Sequence, residues 1–180
     1  SDGAAAMVVC SAGGLARLGA GSRAVRVRGC AMVSASARAA DDFANHIGRR
    51  AASAAYEQAG LGPDALDLAE VHDATSYAEV QQIENLGLAP PGEVGARLKA
   101  GDFALGGRTP VNPSGGLVAK EHPVGATGVG QLYELIRHLR GEAGPRQVEN
   151  ARIAAAENGG GFLGVEEAAT VVTILERAAA

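Results

Sequence analysis

His122 and His72 are the residues of this 180-residue chain best suited to moving protons. His122 stands between Glu121 and Pro123, in a turn region that also holds Gly115, Gly116, Gly125 and Gly128, and a helical pattern follows at once. An imidazole exchanges protons near neutral pH and can donate to a developing oxyanion. Pro123 restricts the residue before it, and a helix starting near Gly125 offers free backbone N–H groups. On residue chemistry alone, His122 is either such a group or a histidine that packs a turn. His72 closes an apolar strand just before a helix start, so it either faces the same site or is a satisfied strand-end histidine. Gly159-Gly160-Gly161 permits close backbone approach and positive φ, as an oxyanion loop or as a tight link between strands. Glu121 and Glu157 are the acids nearest these turns. Burial would raise their pKa and make either a base; otherwise they are exposed or hydrogen-bonded carboxylates. Tyr77 lies one turn past His72, as a proton donor or as helix packing. His46 and His138 fall on helix surfaces by pattern and read as solvated.

The elements that must position these residues alternate between strand and helix. Met7 to Cys10 reads as a short strand and Ala12 to Leu18 as a helical turn ending at Gly19. Arg23 to Ser34 reads as a strand because Val25 and Val27 alternate with Arg26 and Arg28. Asp41 and Asp42 are N-cap candidates for a helix from Phe43 to Ala59, stopped by Gly60. Leu66 to Val71 is a strand, and Asp73 is a candidate cap for the helix after it. Ser76 with Glu79 forms a capping-box pattern for that helix, which runs to about Leu86. A long connection from Pro90 to Thr109 holds a short helix, Val94 to Lys99. After the glycine-rich turn, Val129, Leu132, Tyr133, Ile136 and Leu139 form one apolar helix face. Arg152 to Ala156 and Ala168 to Leu175 read as the last strands. This order gives an α/β layered domain, with His72, His122 and the 159–161 glycines at strand ends or helix starts, where such sheets bind ligands.

A hydrophobic fraction of 47% over this length fits one globular domain with a sizeable core. The formal charge of -4 and the lack of a basic stripe argue against nucleic acid as partner. No apolar run approaches the ~20 residues that span a bilayer, and no secretory signal opens the chain. Cys10 and Cys30 lack metal-ligand spacing and read as small buried residues in a reducing, cytoplasmic setting, with no metal site expected. Ser1-Asp2-Gly3-Ala4 runs straight into apolar residues, as expected of one part of a larger protein.

Four stretches, in order, resemble the C-terminal half of a thiolase, of the sterol-carrier-protein or lipid-transfer type. Asp2-Gly3-Ala4-Ala5-Ala6 resembles the junction between the family's two halves. Glu70-Val71-His72-Asp73-Ala74 resembles its E-V-H-D-C/A-F motif, and Leu105 to Gly116 its L-G-G-x-x-P-V-N-P-S-G-G. His122-Pro123-Val124-Gly125-Ala126-Thr127-Gly128 resembles its H-P-x-G-A-T-G. The resemblance covers nearly the whole chain. It implies residues 1–20 as a junction from an N-terminal half and 21–180 as the C-terminal domain, a thiolase-like α/β fold whose five-stranded mixed sheet carries helices on both faces.

The resemblance further implies an acyltransferase acting on acyl-CoA and forming or cleaving the carbon–carbon bond beside the thioester. Coenzyme A is then substrate or product, and no other cofactor is expected. The nucleophilic cysteine would lie in the N-terminal half, whether in the same polypeptide or a separate subunit, so the lone chain is expected to be inactive. Homo-oligomers and an OB-fold acyl-CoA-associated partner are the implied assembly. By resemblance, His122 activates the nucleophile and binds the thioester oxygen, while His72 lines the same oxyanion pocket. Glu157-Asn158-Gly159 stands at the family's C-x-G loop, which turns the Gly159 N–H toward the acyl oxygen. Gly116, Asn112 and Tyr77 are the remaining candidates for substrate binding. The chain departs from the pattern at three places. Glu157 and Ala74 stand where relatives carry the second thiol, and Glu121 stands where G-H-P has glycine. Without that thiol, Glu157, Glu121 or Tyr77 is left as proton carrier, and the implied alternatives are aldolase-like cleavage of a 3-hydroxyacyl-CoA and a non-catalytic acyl-CoA-binding scaffold.

Overall fold

Four strands in the order β1-β4-β3-β2 form the sheet in a computed structural model that describes residues 2–178. Ser1, at the head of the expected junction, and residues 179–180, at the tail of the expected domain, lie outside the described residues. β1 (Val25–Ser34) runs antiparallel to β4 (Ala169–Arg177), and β4 antiparallel to β3 (Ile153–Gly160). β3 is parallel to β2 (Leu68–Glu70). The sheet is mixed, as expected, but has four strands rather than five. In the fifth place stands an isolated parallel bridge between Ala69 and Val111. Pro110 and Pro113 bring no N–H to a ladder, and Asn112 turns the chain away with φ 50.

Helices α2 (Ile47–Ala59) and α3 (Ser76–Asn85) belong to the larger core, on one face of the sheet. There Ala51, Ala55 and Ala59 of α2 meet Ala31, Val172 and Ile174. Small side chains let α2 lie close to β1: a Cβ on Gly29 would stand 2.4 Å from the Ala55 carbonyl oxygen. On the other face, Leu135 and Leu139 of α6 (Thr127–Arg140) pack on Leu68, Ala154, Ala156 and Leu175. The remaining helices are α1 (Ala12–Leu18), α4 (Val94–Ala100) and α5 (Gly116–Lys120).

Several expectations are corrected. No strand forms over Met7 to Cys10. Both cysteines are exposed rather than buried. Cys30 and Met32 lie on the face of β1 opposite the buried Gly29 and Ala31, and that face is uncovered there. His46 and His138 are buried, not solvated. His46 caps α2 by accepting the Gly48 N–H, and Asp42 caps only a short turn, Phe43–Asn45, before it. His138 Nδ1 accepts the Val148 N–H. Thr75, not Ser76 or Asp73, caps α3 by accepting from Ala78.

The buried side of α6 is Gln131, Glu134, Leu135, His138 and Leu139, whereas Tyr133 of the expected apolar face is about half exposed. Polar residues stand inside here because they have partners. Gln131 donates to the Glu157 carbonyl, and Arg146 donates to Glu134.

Candidate functional site

The exit of β2 and the loop before α5 are tied together by two carboxylates. Glu70 is fully buried; its Oε1 accepts the Ser114 N–H at 3.0 Å and its Oε2 the Ser114 hydroxyl at 2.7 Å. Burial pushes the Glu70 carboxyl above its ordinary range, opposed by the Lys120 ammonium 3.5 Å away and by Ser114. Asp73 accepts the Leu117 N–H at 2.7 Å and the Val118 N–H at 3.4 Å, so it caps α5, a helix the sequence reads only as turn. A carboxylate suits the positive end of a helix. Gly116 is held at φ +62, and a Cβ there would lie 2.1 Å from Asp73 Oδ2. The glycine is therefore required by conformation and by space. Asn112 directs its amide inward: Oδ1 accepts the Val71 N–H at 2.8 Å, and Nδ2 donates to Glu79 at 3.5 Å.

This tie sets the loop that delivers His122. Its ring lies 5.0 Å from that of His72, centroid to centroid, at 61° between planes. Thr127 Oγ1 is 2.7 Å from His122 Nδ1 and donates to the Pro123 carbonyl at 3.2 Å. Nδ1 is thus occupied by the Thr127 hydroxyl, while Nε2 takes no hydrogen bond among the described residues. Burial, then the neighbouring His122, pushes the His72 pKa below the usual histidine value. Its Nε2 is buried without a partner among the described residues, so the ring is neutral.

Glu157 lies on β3, fully buried. Its Oε2 accepts the His72 N–H at 3.1 Å, while its Oε1 has no partner among the described residues. Burial raises its pKa to about 8, with the His72 N–H pulling down and Glu167 pushing up. The carboxyl therefore keeps its proton at neutral pH. Gly159 stands two residues further along β3, opposite Thr170. Gly160 is also within the strand, and Gly161 alone of the three glycines lies in the turn.

The structure thus gathers around His72, just past β2, both His122 of the loop between α5 and α6 and Glu157 of β3, with Gly159 further along that strand. It places Gly116 and Asn112 behind them, in the tie between loop and strand. Tyr77, in the first turn of α3, is largely exposed. Glu121 is exposed, and its φ 67 and ψ 177 are values suited to glycine. Sequence reasoning missed Thr127 as the partner of His122, although a hydroxyl five residues on across a proline turn was a readable signal. It missed Glu167, and it gave Asp73 the wrong helix, because those partners are fixed only by tertiary packing. Among the described residues, no three His, Cys, Asp or Glu side chains gather as a metal site.

Residues 29–177 match the thiolase C-terminal domain-like family. The chain is 41% identical over 177 residues to sterol carrier protein 2 of Rattus norvegicus, covering 95% of this chain and 32% of that protein. It is 42% identical over 170 residues to an acetyl-CoA acetyltransferase of Methanothermobacter thermautotrophicus, covering 89% of this chain and 42% of that protein. The chain therefore spans less than half the length of these relatives. Among solved structures, it superimposes on the Ltp2-ChsH2(DUF35) aldolase with a TM-score of 0.70 at 22% identity, over 87% of this chain and 40% of that one; this shows a shared fold. With the motifs, the fold and these relatives in agreement, the chain belongs to the thiolase C-terminal domain-like family, with sterol carrier protein 2 and an acetyl-CoA acetyltransferase among its relatives.

Proposed function

We propose that this domain is the proton-handling half of an enzyme that acts on acyl-CoA thioesters and makes or breaks the carbon–carbon bond beside the thioester. The observation that carries the reading is the His72–His122 pair set against a buried, protonated Glu157. In the tautomer whose Nδ1–H donates to Thr127, His122 Nε2 has a lone pair to take a proton from a nucleophile, and the resulting imidazolium is a donor to a thioester oxyanion. In the acyltransferase reaction, a cysteine of an N-terminal half attacks the thioester carbonyl. Exposed Val118 on α5 and exposed Val124, Phe162 and Leu163 in loops offer apolar surface for that half to cover. The name of the archaeal relative, an acetyl-CoA acetyltransferase, supports the substrate class. Gly159, Gly116, Asn112 and Tyr77 belong to the proposal as the substrate-facing or substrate-supporting residues, with coenzyme A as substrate or product.

The second reading is retro-aldol cleavage of a 3-hydroxyacyl-CoA, and Glu157 and Ala74 favour it because no thiol stands at either position to carry the α-proton. A base removes the hydroxyl proton, the Cα–Cβ bond breaks to give a carbonyl product, and the thioester enolate takes a proton at Cα. A protonated Glu157 is the matching acid. The name of the structural neighbour, an aldolase joining Ltp2 with a DUF35 component, supports this reading and a partner subunit, for which the proposal is an OB-fold, acyl-CoA-associated protein. A homo-oligomeric, cytoplasmic enzyme completes the proposal; no described helix is long and apolar enough to cross a membrane.

The test is to supply the protein, together with its cysteine-bearing half, with 3-ketoacyl-CoA plus CoA, or with 3-hydroxyacyl-CoA alone. Turnover of the first supports acyl transfer; turnover of the second alone removes it in favour of the aldolase reading. In either case, His122→Ala is expected to lower kcat by roughly 10²–10⁴-fold. Unchanged turnover would leave this site with binding alone.

A further inference from the structure

A second carboxylate stands near Glu157 toward the end of β3: Glu167 pushes up the Glu157 pKa and lies over Gly159. The loop over residues 161–168 is anchored by Glu166, which is buried and holds the Arg38 guanidinium at 2.5 Å, the Ser36 N–H at 2.8 Å and the Ile47 N–H at 3.0 Å. That anchor turns the next residue, Glu167, inward across Gly159. A Cβ on Gly159 would stand 2.7 Å from Glu167 Cγ and 3.1 Å from its Oε1, so the glycine leaves the space that Glu167 fills. Glu167 Oε1 accepts from Gln82 Nε2 at 3.0 Å. Its Oε2 is buried and, like Glu157 Oε1, has no hydrogen-bond partner among the described residues.

Two buried acceptor oxygens without donors call for a proton, since an unpaired buried charge is costly. The other groups around the pair cannot supply a cation. His46, at the start of α2, faces Glu167 Oε2 with its Nε2 at 3.9 Å. Its Nδ1 accepts from the Gly48 N–H and from Asn85 Nδ2, which leaves the ring proton on Nε2. Burial pushes the His46 pKa down, so the ring stays neutral. His72 presents a backbone N–H to Glu157, and its ring, though drawn up by Glu167, is held low by burial and His122; Gln82 of α3 is uncharged, and Arg38 and Arg50 are spent on Glu166. Arg49 of α2 reaches toward α3, donating to the Glu84 carbonyl.

We infer that Glu167 is a positioning residue for the proton chemistry of this site: it sets a second carboxylate beside Glu157, across Gly159, so that the pair holds one proton in place of two charges. This rests on the reading of Glu157 as the proton carrier for its consequence in turnover, but not for the pairing itself. Glu167 does not touch substrate; it acts through Glu157.

The pairing is read by carbon-detected NMR titration of glutamate-labelled protein, complete with its other half, the signals being assigned by loss in Glu157→Gln and Glu167→Gln. Glu167→Gln keeps the acceptor for Gln82 and removes the charge. The titration midpoint of Glu157 is then expected to fall by roughly one pH unit or more. An unchanged midpoint overturns the inference. Should the variant fail to fold, the unmodified protein answers the question: the Glu157 and Glu167 signals are expected to titrate in coupled steps, and independent single titrations overturn the pairing. If the NMR midpoint moves while the pH profile of kcat/KM does not, the pair stands and the reading of Glu157 as proton carrier fails.

Discussion

Glu121 shows how much of this site is set by one residue's backbone. It precedes the site histidine and holds φ 67 with ψ 177, a region costing a side-chain-bearing residue about 1–3 kcal/mol. Replacing it with glycine relieves that strain but adds freedom to the unfolded chain, worth about 0.4–1 kcal/mol in the other direction. Glu121→Gly is therefore expected to raise stability by about 1 kcal/mol, read as a higher denaturant midpoint at unchanged m-value. A lower midpoint would contradict the assignment of strain. The departure from glycine was plain in the sequence, and so was the question of what a charge does there. The answer was not legible, because residue type carries no torsion angle: the carboxylate is in solvent, and the cost lies in the main chain. His72, His122 and Glu157 were legible as candidates, since each falls where a strand or turn ends. Their mutual geometry was not.

At the scale of elements, the knot around Glu166 fastens the 161–168 loop to the connection between β1 and α2. Burial alone would raise the Glu166 pKa. The Arg38 hydrogen bond and the Ser36 and Ile47 N–H groups outweigh it and hold the carboxyl at about 2. A carboxyl with a folded pKa below its unfolded value stabilises the protein above the unfolded pKa, and that contribution is lost as pH falls toward 2. Arg38→Met leaves a buried carboxylate short of its nearest cation and is expected to cost about 3–5 kcal/mol at pH 7. The loss is expected to shrink near pH 3 in denaturation measurements, and a cost equal at both pH values would argue against the ion pair. The elements themselves were largely readable. Helices α1 and α4, and the Gly60 stop of α2, follow from periodicity and caps. The buried face of α6 did not, because Gln131, Glu134 and His138 find partners on other elements, and an apolar pattern cannot announce them.

For the molecule as a whole, Glu157 is a fully buried acid on a central strand of the sheet, and its cost depends on pH. Its pKa of about 8 lies above the unfolded value, so the folded state binds the extra proton between the two. The sign is thus opposite to that of Glu166: stability is full below the unfolded pKa and declines as pH rises through about 8. Glu157→Gln lacks this decline, and its stability relative to the parent is expected to grow by roughly 1 kcal/mol or more between pH 5 and pH 9. A difference that stays flat across that range would remove the buried acid from the account.

The tie between β2 and the loop before α5 has a consequence for inheritance. Glu70 and Asp73 are matched to Ser114 and to the bare Cα of Gly116, across some forty residues of intervening chain that share none of these bonds. Recombination between related genes anywhere in that interval separates lock from key. Chimaeras that keep both segments from one parent retain a seated His122, whereas mixed ones do so only where both parents carry the same carboxylates and the same glycine. The segment in between is held to the same parent by its own bonds, since Ile83, Leu86 and Phe103 fill the larger core and Asn112 accepts from Val71.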